Sequence, residues 1–528
     1  MPSSNFHFVS FVLQLAIFTY QLPSVLSSSS QCQPSLDPSK LMRYGGDFAS
    51  IPLSGANSTL LDCINLCCTT SNCVSFSYNN PQPSKSCIGS ECCEPNGICC
   101  MLKNTIVPLV NNTYGPAVQT GTLSSAAPTP PFPNSTYITN VSFGIVSYWT
   151  RGSGDTWPTL TSENGTLYGW CCDQNNNGTF SPMSFYRIDG DPYNVNENGT
   201  SVLTPVIIND NALDYNTLCS YFGDTGSYPK INIKPAGALA LPGNIFLTGV
   251  SCMKYHSDPN FDRQINLGGF IAGSSDNGQS WSNWTFVGGE NGSNNNSNPM
   301  NVTTTFLSGR FAAPVFVSCG AANIPCSAKD NGYIYIFFPA GLDGNAYWDN
   351  NDAVYLARVQ NNSILNPEGY EYYSSMDPLN PQWITDATQA QPVIMYGRMI
   401  GENTVFYNPY IQRYVIANFG FMDWNGNPIP WHQRNAPNPK RTQLILLEAP
   451  NPWGPWSIFY RSDNSNEELG PMYGAPGMYT PSFPSLYMQP VNTTDNTAQM
   501  VMFFACLDGA TNCRYTLNWQ IVTLTIQP

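Results

Sequence analysis

The chain has 528 residues, a net charge of −14 and only 10% charged side chains. Its length exceeds one ordinary hydrophobic core, so two or more domains are expected. The acidic balance argues against nucleic-acid binding, which needs clustered Lys and Arg.

The first element is the apolar run Phe8-Val9-Ser10-Phe11-Val12-Leu13-Gln14-Leu15-Ala16-Ile17-Phe18. It has signal-peptide length, and Pro23 to Ser30 offers small residues for cleavage. It is too short to span a bilayer. Residues 1–30 are therefore expected to be a signal peptide, and the mature protein to be secreted, extracellular and without a membrane span. The 18 cysteines are an even number, as a disulfide framework needs. Asn-X-Ser/Thr sequons are dense: Asn57, Asn111, Asn134, Asn140, Asn164, Asn177, Asn198, Asn283, Asn291, Asn295, Asn301, Asn361 and Asn492. All are glycosylation candidates.

Ten of the 18 cysteines fall between Cys32 and Cys100. A small domain buries little apolar surface, and disulfides compensate. Thr59 and Asp62 open a short helix with a capping-box pattern. Leu60, Cys63 and Cys67 share one face of it. Cys73-Val74-Ser75-Phe76-Ser77-Tyr78 then alternates like a strand. This helix, this strand and the closing Cys100-Met101-Leu102-Lys103 resemble the PAN/Apple fold over residues 31–105. The resemblance implies a small disulfide-rich α+β module that binds protein or carbohydrate. Cys63, Cys67, Cys73 and Cys100 are its disulfide candidates. Cys92-Cys93 and Cys99-Cys100 are extra to the usual pattern, so connectivity stays open. The alternative is a stapled spacer without a ligand. A zinc site is disfavoured because no His lies nearby.

Residues 106–139 are rich in Pro, Ser and Thr and are expected to be an extended linker. From residue 140 to 528 the pattern is all-β. Ala238–Leu241, Gly332–Phe338, Ala353–Ala357, Tyr414–Asn418 and Gln443–Leu447 are short strand-like runs between Gly, Pro and Asn clusters. So many short strands favour a propeller. Ser274-Ser275-Asp276-Asn277-Gly278-Gln279-Ser280-Trp281 matches the Asp-box, Ser-X-Asp-X-Gly-X-X-Trp, which closes a hairpin in sialidase-like blades. Asp276 is expected to be structural, bonding its own turn. Gly454-Pro455-Trp456 resembles the blade turn of five-bladed glycosidase propellers. The expected fold is therefore a sialidase-like five-bladed β-propeller behind a PAN/Apple-like module. Cys319, Cys326, Cys506 and Cys513 are further disulfide candidates.

Histidine is nearly absent: His7 lies in the signal, leaving His256 and His432. A Ser-His-Asp triad or a multi-histidine metal site is disfavoured on that count. No cofactor and no metal is expected, so chemistry rests on carboxylates. Asp155 and Asp173 bracket a segment centred on Asn164-Gly165, a strong hairpin signal. A hairpin there brings both carboxylates to one end, beside Trp157 and Trp170. Directly opposed residues lie about 5 Å apart at Cβ, which suits the spacing of a retaining glycosidase better than the wider inverting one, though with the register open the stereochemistry stays open. One Asp would be the nucleophile. The other, its pKa raised by burial and its neighbour's charge, would protonate the leaving oxygen. Trp157, Tyr168 and Trp170 are candidates to stack on a sugar, with core packing the other reading of each. Arg310, Asp352 and Asp386 are further candidates for the same cleft.

The motif order adds a second resemblance. It runs Gly154-Asp155-Thr156-Trp157-Pro158, Leu167-Tyr168-Gly169-Trp170, Asp173, then Lys234-Pro235-Ala236-Gly237-Ala238-Leu239 and the Asp-box. Arg310–Phe316, Asp352–Val359, Tyr407–Tyr414 and the Gly-Pro-Trp turn complete it. The set is similar to the family catalogued as domain of unknown function 4185, which includes bacterial endo-D-arabinanases. That resemblance implies that Asp155 and Asp173 are the catalytic pair, and that a furanosidic polysaccharide such as D-arabinan is the substrate. The chain departs from the family at Cys171-Cys172 and Gln174. The alternative is a non-catalytic protein that binds carbohydrate or protein. A sialidase is disfavoured, since no arginine cluster stands out.

Overall fold

The structure is a computed structural model. Between residues 34 and 123 it describes the backbone of seven strands, and from residue 131 to 527 most of the chain. Residues 177–178, 214–217, 220–221, 223–230, 255–262, 290–308, 342–343, 376, 403, 423–440, 463–477 and 507–512 are outside the description. So are residues 1–33, which hold the expected signal, and the expected helix with Cys63, Cys67 and Cys73. His256, His432 and the sequons Asn57, Asn177, Asn291, Asn295 and Asn301 also lie outside.

The first strands are β1 (Pro34–Leu36), β2 (Leu41–Arg43), β3 (Asp47–Pro52), β4 (Ser75–Asn79), β5 (Cys99–Lys103), β6 (Leu109–Asn111) and β7 (Val118–Leu123). Five of them form a sheet in the order β1-β7-β4-β5-β3, and β2 pairs with β6. Because β7 lies beside β4, this sheet runs on past residue 105, into the stretch expected to be a linker.

After β8 (Ile138–Phe143) and β9 (Ser147–Tyr148), the chain lays down antiparallel meanders one after another. The first contains β10 (Thr159–Thr161), β11 (Leu167–Asn176), β12 (Thr179–Gly190) and β13 (Leu203–Asn209). The second contains β14 (Ile231–Leu241), β15 (Ile245–Lys254), β16 (Ile265–Ser274) and β17 (Asn283–Gly289). The third contains β18 (Val315–Ser318), β19 (Tyr333–Ala340), β21 (Asn351–Gln360), β22 (Glu371–Tyr373) and β23 (Trp383–Ile384). Short β20 (Ala346–Tyr347) crosses back to β16, and β24 (Pro392–Ile400) pairs with β21. The fourth contains β25 (Thr404–Asn408), β26 (Arg413–Met422), β27 (Arg441–Ala449) and β28 (Ser457–Arg461). Parallel pairing of β18 with β25 joins the third and fourth edge to edge. The last sheet, β29 (Met478–Ser482), β30 (Thr497–Cys506) and β31 (Asn518–Ile526), is completed by β8 and β9 from the start of the run. That pairing ties residues near 140 to residues near 525.

Apolar clusters sit between successive sheets. Leu160, Trp170 and Met183 of the first meet Ile231, Ile233 and Ala238 of the second. All eleven residues of β14 are buried, as expected of a strand covered on both faces. Close approach there needs glycine: a Cβ on Gly249 of β15 would collide with the Pro314 carbonyl. The Asp-box forms its turn as expected. Asp276 accepts from Ser274 Oγ (2.7 Å), Ser280 N (2.9 Å) and Ser280 Oγ (2.6 Å), which hold its pKa down at about 2. Trp281 packs on Trp170 and Phe185. Trp456 of the Gly-Pro-Trp turn is buried against Phe337.

Disulfides join Cys319 to Cys326 and Cys506 to Cys513, four of the expected cysteines. A third joins Cys219 to Cys252. Among the described sequons of this part, Asn134, Asn140, Asn164, Asn198, Asn283 and Asn492 are exposed and Asn361 is half-buried. Among the described residues no helix is long and apolar enough to cross a membrane.

Candidate active site

The hairpin expected at Asn164-Gly165 forms. Ser162 N donates to Thr166 O (2.9 Å), Gly165 N to Ser162 O (3.0 Å), and Gly165 takes φ +79°. Beyond it, Leu160 faces Tyr168 in the β10–β11 ladder. The ladder ends in an isolated bridge in which Asp155 opposes Cys172, not Asp173. Asp155 N donates to Cys172 O (3.0 Å) and Cys172 N to Asp155 O (2.9 Å). Gly154, at φ +122°, makes this fit, because a Cβ there would lie 2.7 Å from Cys172 O.

Regular alternation would send Asp173 to the opposite face from Cys172. Instead Asp173 adopts φ +52°, a left-handed conformation that Asp tolerates better than most residues. Its carboxylate turns to the Cys172 side and meets the Lys234 ammonium. Lys234 stands on buried β14, just before a bulge between Pro235 and Gly237. Bulges re-aim side chains next to sites. Lys234 Nζ also lies 3.3 Å from Cys172 Sγ and 3.8 Å from Asp155 Oδ1. Asn232, two residues earlier on the same face, donates to Asp173 Oδ1 (2.8 Å). Asp155 accepts from Cys172 Sγ (2.6 Å) and from Tyr479 Oη of β29 (2.8 Å). The candidate carboxylates are thus brought together around one buried cation.

Burial pushes the Asp155 carboxyl above its ordinary value. Lys234 opposes that shift, Asp173 adds to it, and the bonds from Cys172 and Tyr479 oppose it. Burial and the two aspartates also push both cysteines up, so they are thiols at neutral pH. Cys172 acts as a hydrogen-bond donor. Cys171 points to the other face, into the cluster with Trp157 and Tyr186. The two are free thiols, consistent with neighbouring strand residues facing opposite ways.

Asp155, Cys172 and Asp173 each offer one ligand atom within 4.8 Å of the others, a spacing suited to a metal. Here the chain's own ammonium lies among those atoms, and the thiol keeps its proton. The donor set therefore fits Lys234 better than a divalent ion.

Asp173 borders a cavity of about 550 Å³ that is also lined by Tyr148, Trp149, Arg514 and Tyr515. Asp155 lies behind it, with its side chain 10% exposed against 18% for Asp173. The sequence reading is corrected for the aromatics. Trp157 and Trp170 are fully buried in two different clusters, so neither has a face left for a ligand. Tyr168 is half-buried and stacks on Phe185. The aromatic groups at the cavity are instead Tyr148, Trp149 and Tyr515. Asp386 is also corrected: it is exposed and caps a turn by accepting from Thr388 N (3.0 Å). Asp352 is buried against Arg263 (3.2 Å), and Arg310 lies over the Tyr355 ring. Neither lines the cavity.

Sequence reasoning missed the roles of Lys234, Cys172, Asn232 and Tyr479. Lys234 carried a signal: a lone charge in the apolar run Ile231-Asn232-Ile233-Lys234-Pro235-Ala236 must be paired if that strand is buried. Tyr479 carried none, since it comes from far along the chain.

Residues 226–502, a little over half of the chain, match the family model described as domain of unknown function DUF4185. The match begins after Asp155 and Asp173. Residues 42–103 match the PAN domain model. No curated protein matches the chain. Among solved structures, an endo-1,5-α-L-arabinanase from Thermotoga petrophila is similar at 11% identity and TM-score 0.38, covering 72% of this chain and 75% of that one. An α-L-arabinofuranosidase from Podospora anserina is similar at 9% identity and TM-score 0.34, covering 75% of this chain and 98% of that one. A GH43_1 enzyme from Xanthomonas citri is similar at 13% identity and TM-score 0.34, covering 73% of this chain and 93% of that one.

Proposed function

The chain belongs to the DUF4185 family, and from that premise we propose that it is a secreted glycoside hydrolase using Asp155 and Asp173. One observation carries the reading: two carboxylates share a buried ammonium, and one of them borders a cavity. Their ligand oxygens fall within 4.8 Å, which supports the closer, retaining arrangement of about 5 Å over the wider inverting one. Asp173, at the cavity wall, is the nucleophile that attacks the anomeric carbon. Asp155, whose pKa burial raises, gives its proton to the leaving oxygen and recovers one from the attacking water. Tyr148 and Trp149 supply the sugar-stacking surface.

The sheets support five propeller blades, the ten-stranded sheet dividing in two at its parallel seam. The PAN module binds a glycan or a protein and holds the catalytic part near its substrate. The exposed sequons are glycosylated. The substrate is a furanosidic polysaccharide, of which D-arabinan is the first to try.

The test is a polysaccharide panel with product analysis. Asp155→Asn and Asp173→Asn are each expected to lower turnover by on the order of 10²–10⁴-fold while the fold is kept. Wild-type turnover in both variants overturns the assignment. A second reading, a non-catalytic binding protein, is favoured by one feature: Lys234 already pairs with Asp173, as a purely structural ion pair would. Glycan binding without released sugar would support it.

A further inference from the structure

Glu402 follows β24 and precedes β25, far in sequence from the hairpin that holds the aspartates. Its side chain is buried, and both carboxyl oxygens lack a hydrogen-bond partner. The backbone around it is fixed at two points. Glu402 N donates to Trp348 O (2.9 Å), and Gly401 N donates to Phe419 O (2.7 Å). Trp348 and Phe419, whose carbonyls accept these bonds, belong to one apolar cluster with Tyr479. The charges acting on it are Lys234 on β14 and Asp155 on the bridge segment. Asp349 stands on the neighbouring 348–350 segment, and β26 presents the apolar Phe419.

We propose that Glu402 is a third carboxyl of this site, a positioning residue that leaves Lys234 on the Asp155–Asp173 pair only while it keeps its own proton. A buried, unpaired carboxylate is costly, so the group stays neutral beside Asp155. Once ionised, it competes with the aspartates for the one ammonium among them. Burial pushes its pKa up to about 8, with Lys234 opposing and Asp155 adding to the shift. The unfolded carboxyl titrates near its ordinary 4.5, so the folded chain holds an extra proton between these values. Its stabilising share is fully present below the lower value and is lost as pH rises through the upper one.

The proposal deepens the hydrolase reading, on which its activity arm rests; its stability arm requires no turnover. Wild type and Glu402→Gln are compared from pH 5 to pH 9. Glutamine keeps the shape and stays neutral, so the Tm of wild type falls relative to the variant across about pH 5–8. The ratio of turnover at pH 9 to that at pH 6 rises about tenfold in the variant. A Tm gap that does not change with pH overturns the buried acid, as does a Glu402→Gln chain that folds at no pH. An unchanged alkaline limb overturns the positioning role. Glu402→Leu, also neutral, gives a second reading of the Tm gap. If that gap widens while no polysaccharide is cleaved, the hydrolase reading alone fails.

Discussion

Lys234 decides the electrostatics of the site. It lowers the Asp155 pKa against burial, and it bonds Asp173 directly. Lys234→Met would leave two carboxylates facing each other without a cation. Removing one partner of a buried pair costs about 3–5 kcal/mol, so urea unfolding at pH 7 is expected to show a loss of that order. Protonating Asp155 relieves the repulsion, so the deficit should shrink as pH falls toward 4. A deficit that grows on acidification would contradict this account. Cys172, the family departure most visible in the sequence, contributes its thiol proton to Asp155. Lys234 stood in a quoted motif yet had no role there, because its partners lie on other strands.

At the scale of elements, what was legible was local. The Asn164-Gly165 turn and the Asp-box each draw their geometry from a few consecutive residues, so turn chemistry alone specifies them. Register was not legible. Asp155 opposes Cys172, and only the left-handed backbone at Asp173 returns its carboxylate to the same side. The roles of the tryptophans were not legible either, because burial depends on the sheet packed opposite. Trp281 closes the Asp-box against Trp170 and Phe185. Trp281→Ala is expected to cost about 3–5 kcal/mol in chemical denaturation. Gly249→Ala, forcing a methyl onto the Pro314 carbonyl, is expected to cost about 1–3 kcal/mol or to block folding. Neutral behaviour of the first variant would contradict the packing between the first and second meanders, and of the second variant that between the second and third.

Over the whole molecule, the site is assembled from residues near 155, 172, 234, 402 and 479, carried by separate sheets and connecting segments. One disulfide brackets Lys234 in the chain. Cys219–Cys252 closes a separation of 33 residues, worth about 3–4 kcal/mol in the chain-entropy account. Reduction should therefore lower Tm measurably. Cys171 and Cys172 are free but buried, and their thiols are held protonated. Native protein should resist alkylation at both positions, and denatured protein should react at both, as peptide mass mapping would read. Rapid labelling of Cys172 in the native state would contradict its burial beside Asp155.

The all-β class, the Asp-box, the first hairpin, the PAN-like segment and the family were determined by residues close together in the chain. Alternation, turn residues and cysteine spacing are local properties, and a single sequence displays them. The tertiary structure alone decided which carboxylates meet a cation, which aromatics keep a face to solvent and which thiol donates to Asp155. Those depend on long-range register and on burial, and burial is a property of what packs opposite a residue rather than of the residue itself.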